Sequence, residues 1–268
     1  MSTKLPTYDL IGKGYNSRRA ADVRILSKLV ALLDQPEGAH ILDVGAGTGN
    51  YTAALADLGY SMTALEPSTI MLESAVGRDS IDWYRGSAEA MPFDDDQFDA
   101  VYCTLSMHHF TDPELGLNQI RRVLKPGGRF VAFTSDPRRI PSDFWMRAYF
   151  DALFVEAEAI FPPMGQLLQR LAVVGFAGAV DEAYPVPSDN QDGFFCSAWR
   201  RPEEYLDEAF RAGISSFRLM DPQQLDSAVA CLRSDLESGR WHGRHAAILE
   251  PNEFDCGHSF VVASKPPE

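Results

Sequence analysis

Ile41-Leu42-Asp43-Val44-Gly45-Ala46-Gly47-Thr48-Gly49 is followed, seventeen residues after Gly49, by the carboxylate of Leu65-Glu66-Pro67. An apolar run enters a glycine-rich turn, a helix-like segment follows, and a second apolar run ends in an acid. That is the plan of a nucleotide-binding βαβ unit. The glycines let backbone press against a ligand, and an acid ending the second strand can accept both hydroxyls of a ribose.

The spacing narrows the ligand. It reads Asp-x-Gly-x-Gly-x-Gly and not Gly-x-Gly-x-x-Gly, the pattern that sets a pyrophosphate on a helix start. Asp43 lies two residues before the first glycine, at the tip of the first strand. A carboxylate there suits an ammonium group and is a poor neighbour for a pyrophosphate. S-Adenosylmethionine combines an ammonium, a ribose and an adenine without any phosphate. The same features argue against an NAD-dependent oxidoreductase.

With these residues the chain resembles the class I S-adenosylmethionine-dependent methyltransferases, and further motifs extend the likeness. Gly86-Ser87-Ala88-Glu89-Ala90-Met91-Pro92-Phe93-Asp94 and Gln97-Phe98-Asp99-Ala100-Val101 resemble the family's adenine-side loop and fourth strand. Met107-His108-His109-Phe110 is similar to the segment after that strand, and Arg121 to Phe130 to the turn into the fifth. The four motifs stand in the family's order across roughly residues 8–136. The resemblance implies a Rossmann-like α/β fold: a seven-stranded, mostly parallel sheet with an antiparallel last strand and helices on both faces.

Composition fits a soluble cytoplasmic enzyme. The 268 residues suffice for a sizeable core. A formal net charge of −14 argues against nucleic acid or an anionic membrane surface as partner. No apolar run approaches the roughly 20 residues of a spanning helix. Cys103, Cys196, Cys231 and Cys256 are scattered, which suggests neither a disulfide framework nor a metal site.

The pattern predicts a helix from a cap at Asn16 or Ser17 to about residue 33, then strands at 39–44, 61–66, 81–84, 99–104 and 129–134. Helices are expected at 51–58, 69–75 and 113–123, the last opened by Asp112-Pro113. Gly127-Gly128 reads as the turn into the fifth strand. Beyond residue 136 helices are expected at 143–160 and 163–174, a sixth strand at 180–186, and a seventh at 259–263. The last two strands are thus separated by a helical insertion of about 188–250, with helices opening at Pro202 and Pro222. Without a flexible linker the chain reads as a single domain: a cofactor half, 1–136, and an acceptor-side half, 137–268.

The resemblance assigns roles. Gly45, Ala46, Gly47 and Gly49 form the cofactor loop, and Glu66 with Pro67 and Met71 the ribose side. Asp43 supports the loop and faces the ammonium. Ser87, Ala88 and Glu89 line the adenine, with Ser87, Glu89 and backbone all open as readers of its amine. Cys103 and Thr104 lie beneath the sulfonium, through backbone contacts. Tyr15 is the candidate that closes over the methionine part, and Arg18 or Arg19 could grip its carboxylate. One of His108 and His109 could act as a general base; the favoured reading has one packing the pocket wall and the other facing solvent, and His109 is also placed on the acceptor side. Trp145, Phe195 and Trp199 are expected to roof a closed, partly apolar acceptor pocket. No metal is expected.

The expected chemistry is in-line transfer of a methyl group to an unidentified small molecule, which needs alignment and exclusion of water more than a protein nucleophile. A catalytically silent S-adenosylmethionine-binding or partner-binding protein remains open beside it. The oligomeric state is unspecified by these residues.

Overall fold

The computed structural model describes residue 9 and residues 19–77 and 79–267 of the chain. The sheet begins with β1 (His40–Val44), β2 (Ser61–Glu66), β3 (Ile81–Arg85) and β4 (Phe98–Thr104). It continues with β5 (Leu124–Ser135), β6 (Ala177–Ala183) and the carboxyl-terminal strand β9 (His258–Ser264). The spatial order is β3-β2-β1-β4-β5-β9-β6. β1 to β5 pair in parallel, while β9 lies between β5 and β6 and is antiparallel to both. Two short strands, β7 (Val186–Pro187) and β8 (Glu253–Phe254), form a separate ribbon.

Successive residues on the central strands enter opposite cores, as period-two geometry requires. Ile41, Tyr102, Val131 and Phe133 face one core; Leu42, Cys103, Phe130 and Ala132 face the other. On the first face lie α1 (Val23–Leu33) and α2 (Asn50–Asp57), through Ile25, Leu29 and Leu55. The second face is covered by α4 (Pro113–Val123) and α6 (Met164–Val174), through Leu117, Ile120, Leu167 and Leu171. The short α3 (Thr69–Glu73) follows β2, capped by Ser68. α5 (Arg147–Ile160) leaves β5 by way of Asp136-Pro137 and bends at Phe150, whose φ of −125° and ψ of 34° depart from helical values.

The insertion folds against the first core. It contains α7 (Glu208–Ala212), α8 (Ser215–Leu219), α9 (Pro222–Glu237) and α10 (Arg240–His245). Phe194, Trp199, Tyr205, Phe210, Phe217, Leu232 and Trp241 join the same apolar cluster as the sheet residues. No helix among the described residues is long and apolar enough to cross a membrane.

Several boundaries differ from expectation for identifiable reasons. α1 starts at Val23 because Asp22 accepts from the Arg24 amide and caps it; Asn16 and Ser17 lie outside the described residues. β6 starts three residues earlier than the apolar run at Val180, since its register is set by pairing with β9, and Val186 belongs to the ribbon. Gly127, at φ 78°, does not separate a turn from a strand; pairing runs from Leu124 with a shift between Phe98 and Ala100, a bulge. The expected helix from Pro202 is a 3-10 segment followed by α7, broken where Asp207 caps anew.

Candidate functional site

The carboxyl ends of β1, β2 and β4 share one edge, the edge where open α/β sheets bind ligands. A cavity of about 690 Å³ lies there. The turn after β1 forms one wall. Gly45, at φ 75°, is left-handed and so close to the segment after β4 that an added Cβ would come within 2.5 Å of Ser106 Cβ. Ser106 is held there by its hydroxyl, which donates to the Val44 carbonyl at 2.7 Å. Gly47, at φ 60°, faces open space, and its amide donates to Glu66 Oε2 at 2.8 Å.

Glu66 Oε1 accepts from the Ser68 amide at 2.8 Å, so backbone N–H groups orient both carboxylate oxygens at the cavity wall. Burial pushes this acid up to about 7, against those two N–H donors and with added repulsion from Asp43. Asp43 lines the same wall and is 3% exposed. Its Oδ2 accepts from Thr52 and Tyr102 hydroxyls, each at 2.6 Å, and burial pushes it up to about 6. Asp43 Oδ1 has no hydrogen-bond partner among the described residues. Two buried acids on one wall, one with an orphaned oxygen, suit a ligand that brings a cation and hydroxyl donors. S-Adenosylmethionine has both.

Ala46, Pro67, Met71, Ser87, Ala88 and Glu89 also line this cavity, together with Thr104. Glu89 Oε1 accepts from the amides of Thr111 at 2.6 Å and Asp112 at 3.2 Å, so this acid holds a neighbouring turn. Gly49 sits behind the wall as the cap of α2. Cys103 is placed otherwise than expected: it points into the second core, and the segment from Thr104 to Ser106 lines the cavity in its place. Strand alternation decides this, because Thr104 is the last residue of β4. Tyr15 and Arg18 lie outside the described residues.

Arg19 lines the cavity, and its guanidinium grips Asp192 through Nε and through Nη2, the latter at 3.2 Å. Asp192 comes from the insertion, is buried, lines the cavity and also accepts from Tyr51 at 3.1 Å. Sequence reasoning missed Asp192 and Tyr51. Asp192 stands 173 residues from Arg19, and no local pattern announces such a pair.

A second cavity, of about 110 Å³, adjoins the first. Arg19, Leu105, His108, His109, Ile160 and Leu219 line both. Its deeper wall includes Pro137, Ile140, Phe161, Phe194, Phe195 and His258. His109 is exposed toward the cavities, which lie within the fold, and burial pushes its imidazole down to about 4. Burial also lowers His108, whose ring is tilted against His109 and Phe161 with centroid distances of 3.9 and 4.3 Å. His258 is pushed down to about 3, so these rings are neutral near pH 7.

Phe195 lines this second cavity, but the expected roof of Trp145 and Trp199 is corrected. Both tryptophans are core. Trp145 Nε1 donates to the Trp199 carbonyl at 2.7 Å, and Trp199 Nε1 to the Val186 carbonyl at 2.8 Å. Neither lines either of these two cavities. An indole buried with its N–H satisfied by backbone is a strut, and the apolar surface it hides exceeds what a pocket wall would. No group of three metal-ligating side chains occurs among the described residues.

Residues 42–132 match the methyltransferase domain family. Over 125 residues the chain is 38% identical to a demethylmenaquinone methyltransferase of Clavibacter sepedonicus, covering 43% of this chain and 51% of that protein. The chain spans about half the length of the curated relatives it matches. A crystal structure from Anabaena variabilis ATCC 29413, provisionally described as a methyltransferase from an antibiotic biosynthesis pathway, is 34% identical, with a TM-score of 0.88. That likeness covers 92% of this chain and 98% of the other. Haemonchus contortus phosphoethanolamine N-methyltransferase 2, solved with S-adenosyl-L-methionine, has the same fold at 18% identity and a TM-score of 0.61. There 98% of this chain overlays 57% of the other.

Proposed function

The chain belongs to the class I S-adenosylmethionine-dependent methyltransferases, and from that premise we propose that it transfers a methyl group to a small molecule seated in the 110 Å³ cavity. The observation that carries this is the junction of two cavities, one walled by Asp43 and Glu66, the other mostly by apolar side chains and neutral imidazoles, with Arg19, Glu156 and three serines among its lining.

When bound, S-adenosylmethionine supplies a methyl carbon made electrophilic by its sulfonium sulfur. Asp43 Oδ1 would accept from the ammonium, and Glu66 from the ribose hydroxyls, two charge-assisted hydrogen bonds in a dry wall. Arg19, held by Asp192, stands where it could face the carboxylate. Ser87, Ala88 and Glu89 supply the adenine wall. Leu105, His108 and His109 stand between the compartments and exclude water from the point of transfer. An imidazole held at about 4 is a weak base. His109 would therefore take a proton only from an acceptor that methylation has already made acidic.

The acceptors named for the curated relatives do not pass to this chain. The family match ends at residue 132, before every segment of the deeper acceptor wall. A silent cofactor-binding protein would share the large cavity but release no S-adenosylhomocysteine. Calorimetry tests the cofactor directly: S-adenosylmethionine and S-adenosylhomocysteine give heat, and NAD gives none. Glu66→Ala costs roughly 2–4 kcal/mol, the sum of two charge-assisted bonds partly replaced by water. Tighter binding of NAD than of S-adenosylhomocysteine would overturn the proposal.

A further inference from the structure

Leu105 is one of four described non-glycine residues in the left-handed region, at φ 50°. It follows the last residue of β4 and lines both cavities. A side chain in that region costs about 1 kcal/mol or more and persists only where neighbours over-determine it. The neighbours are visible. The Leu105 amide donates to the Phe133 carbonyl at 2.8 Å, which ties it to β5. Ser106, the next residue, is pinned to the Val44 carbonyl and fills the space that Gly45 leaves open. Fixed on both sides, Leu105 turns its side chain to where the large cavity meets the small one.

The small cavity has the dimensions of a single ring. At about 110 Å³ it is somewhat smaller than an apolar cavity of about 150 Å³ known to hold benzene. Pro137, Ile140, Phe161, Phe194, Phe195 and Ile214 make most of its wall apolar, beside Ser135, Glu156, Ser215 and Ser216.

Resting on the cofactor reading above, we propose that Leu105 is the specificity-determining residue of this enzyme, a strained partition that limits the acceptor to a compact, apolar, single-ring head. Its backbone conformation aims the side chain, and its side chain sets the depth available beside the point of transfer. Truncating it joins part of the large cavity to the small one and admits a second fused ring.

Two uncharged probes with the same hydroxyl separate the sizes: phenol and 2-naphthol, titrated by ligand-observed NMR into the protein with and without S-adenosylhomocysteine. The wild type is expected to favour phenol by about tenfold, the factor that about 1.4 kcal/mol of overpacking produces. Leu105→Ala is expected to reverse that order. Leu105→Gly then tests the backbone. At an ordinary position glycine melts below alanine, but here, where φ is positive, it is expected to melt at or above it. A wild type that prefers 2-naphthol, an alanine variant with unchanged preference, or a glycine variant melting below alanine would each overturn the proposal. S-Adenosylhomocysteine affinity is measured alongside; its absence strikes the cofactor reading alone, because probe preference is also read on the unliganded protein.

Discussion

Asp43 and Glu66 are buried acids raised to about 6 and about 7, above the ordinary carboxylate range. A folded value above the unfolded one means that the folded chain holds its proton longer. Stability of the unliganded protein therefore falls as pH rises from about 4, the unfolded value, through about 7. An ammonium and hydroxyl donors favour the ionised acids, so binding should pull both values down. Near pH 6.5 binding is expected to release protons, with S-adenosylhomocysteine affinity rising with pH up to about 7 and levelling above. Calorimetry in two buffers of different ionisation enthalpy measures the release, and Glu66→Gln should diminish it. Proton uptake at that pH would contradict the assignment of both acids.

At the scale of the element, residues 186–201 run as a strap between the large cavity and the small one. Asp192 pairs with Arg19 and Tyr51, the Gln191 amide donates to Asp22 at 3.1 Å, and Phe194 and Phe195 line the small cavity a few residues on. The far end is anchored by the Trp145–Trp199–Val186 chain of hydrogen bonds. Trp199→Ala is expected to lower the unfolding free energy by about 3–5 kcal/mol, since it leaves a cavity and an orphaned carbonyl. S-Adenosylhomocysteine affinity should stay within about threefold, because Trp199 touches neither cavity. Denaturant titration checks the first and calorimetry the second. An unchanged midpoint with lost acceptor turnover would restore Trp199 to the pocket.

Across the whole molecule, one sheet edge joins the glycine turn, the segment after β4 and the strap from the insertion. Residues of all three line the large cavity, so the binding free energy of a ligand held there would add to global stability. At a hundred times its dissociation constant, S-adenosylhomocysteine should add about 2.7 kcal/mol and NAD nothing. For a chain of this size that corresponds to a melting shift of roughly 5–10 °C. A melting point insensitive to S-adenosylhomocysteine would exclude it as a ligand of the folded chain.

The cofactor half was legible because its signals are local. Asp43, the glycines and Glu66 fall within one βαβ unit, where turn geometry and strand ends depend on residues a few positions apart. Caps at Ser68, Asp112 and Asp221 were readable for the same reason: each bonds an amide three residues on. The strand near residue 259 was legible as an apolar run of strand length, and its antiparallel direction was what the family resemblance implied. The acceptor side was not legible. Trp145 and Trp199 have the composition of a pocket wall, and only packing shows that backbone carbonyls satisfy their N–H groups inside the core. Asp192 meets Arg19, and Leu105 turns left-handed, through contacts with β1, β5 and the insertion that no sequence spacing encodes. Local chemistry thus determined the fold and the acidic wall of the large cavity, while long-range packing decided which aromatic groups line the small cavity and how large a space they leave.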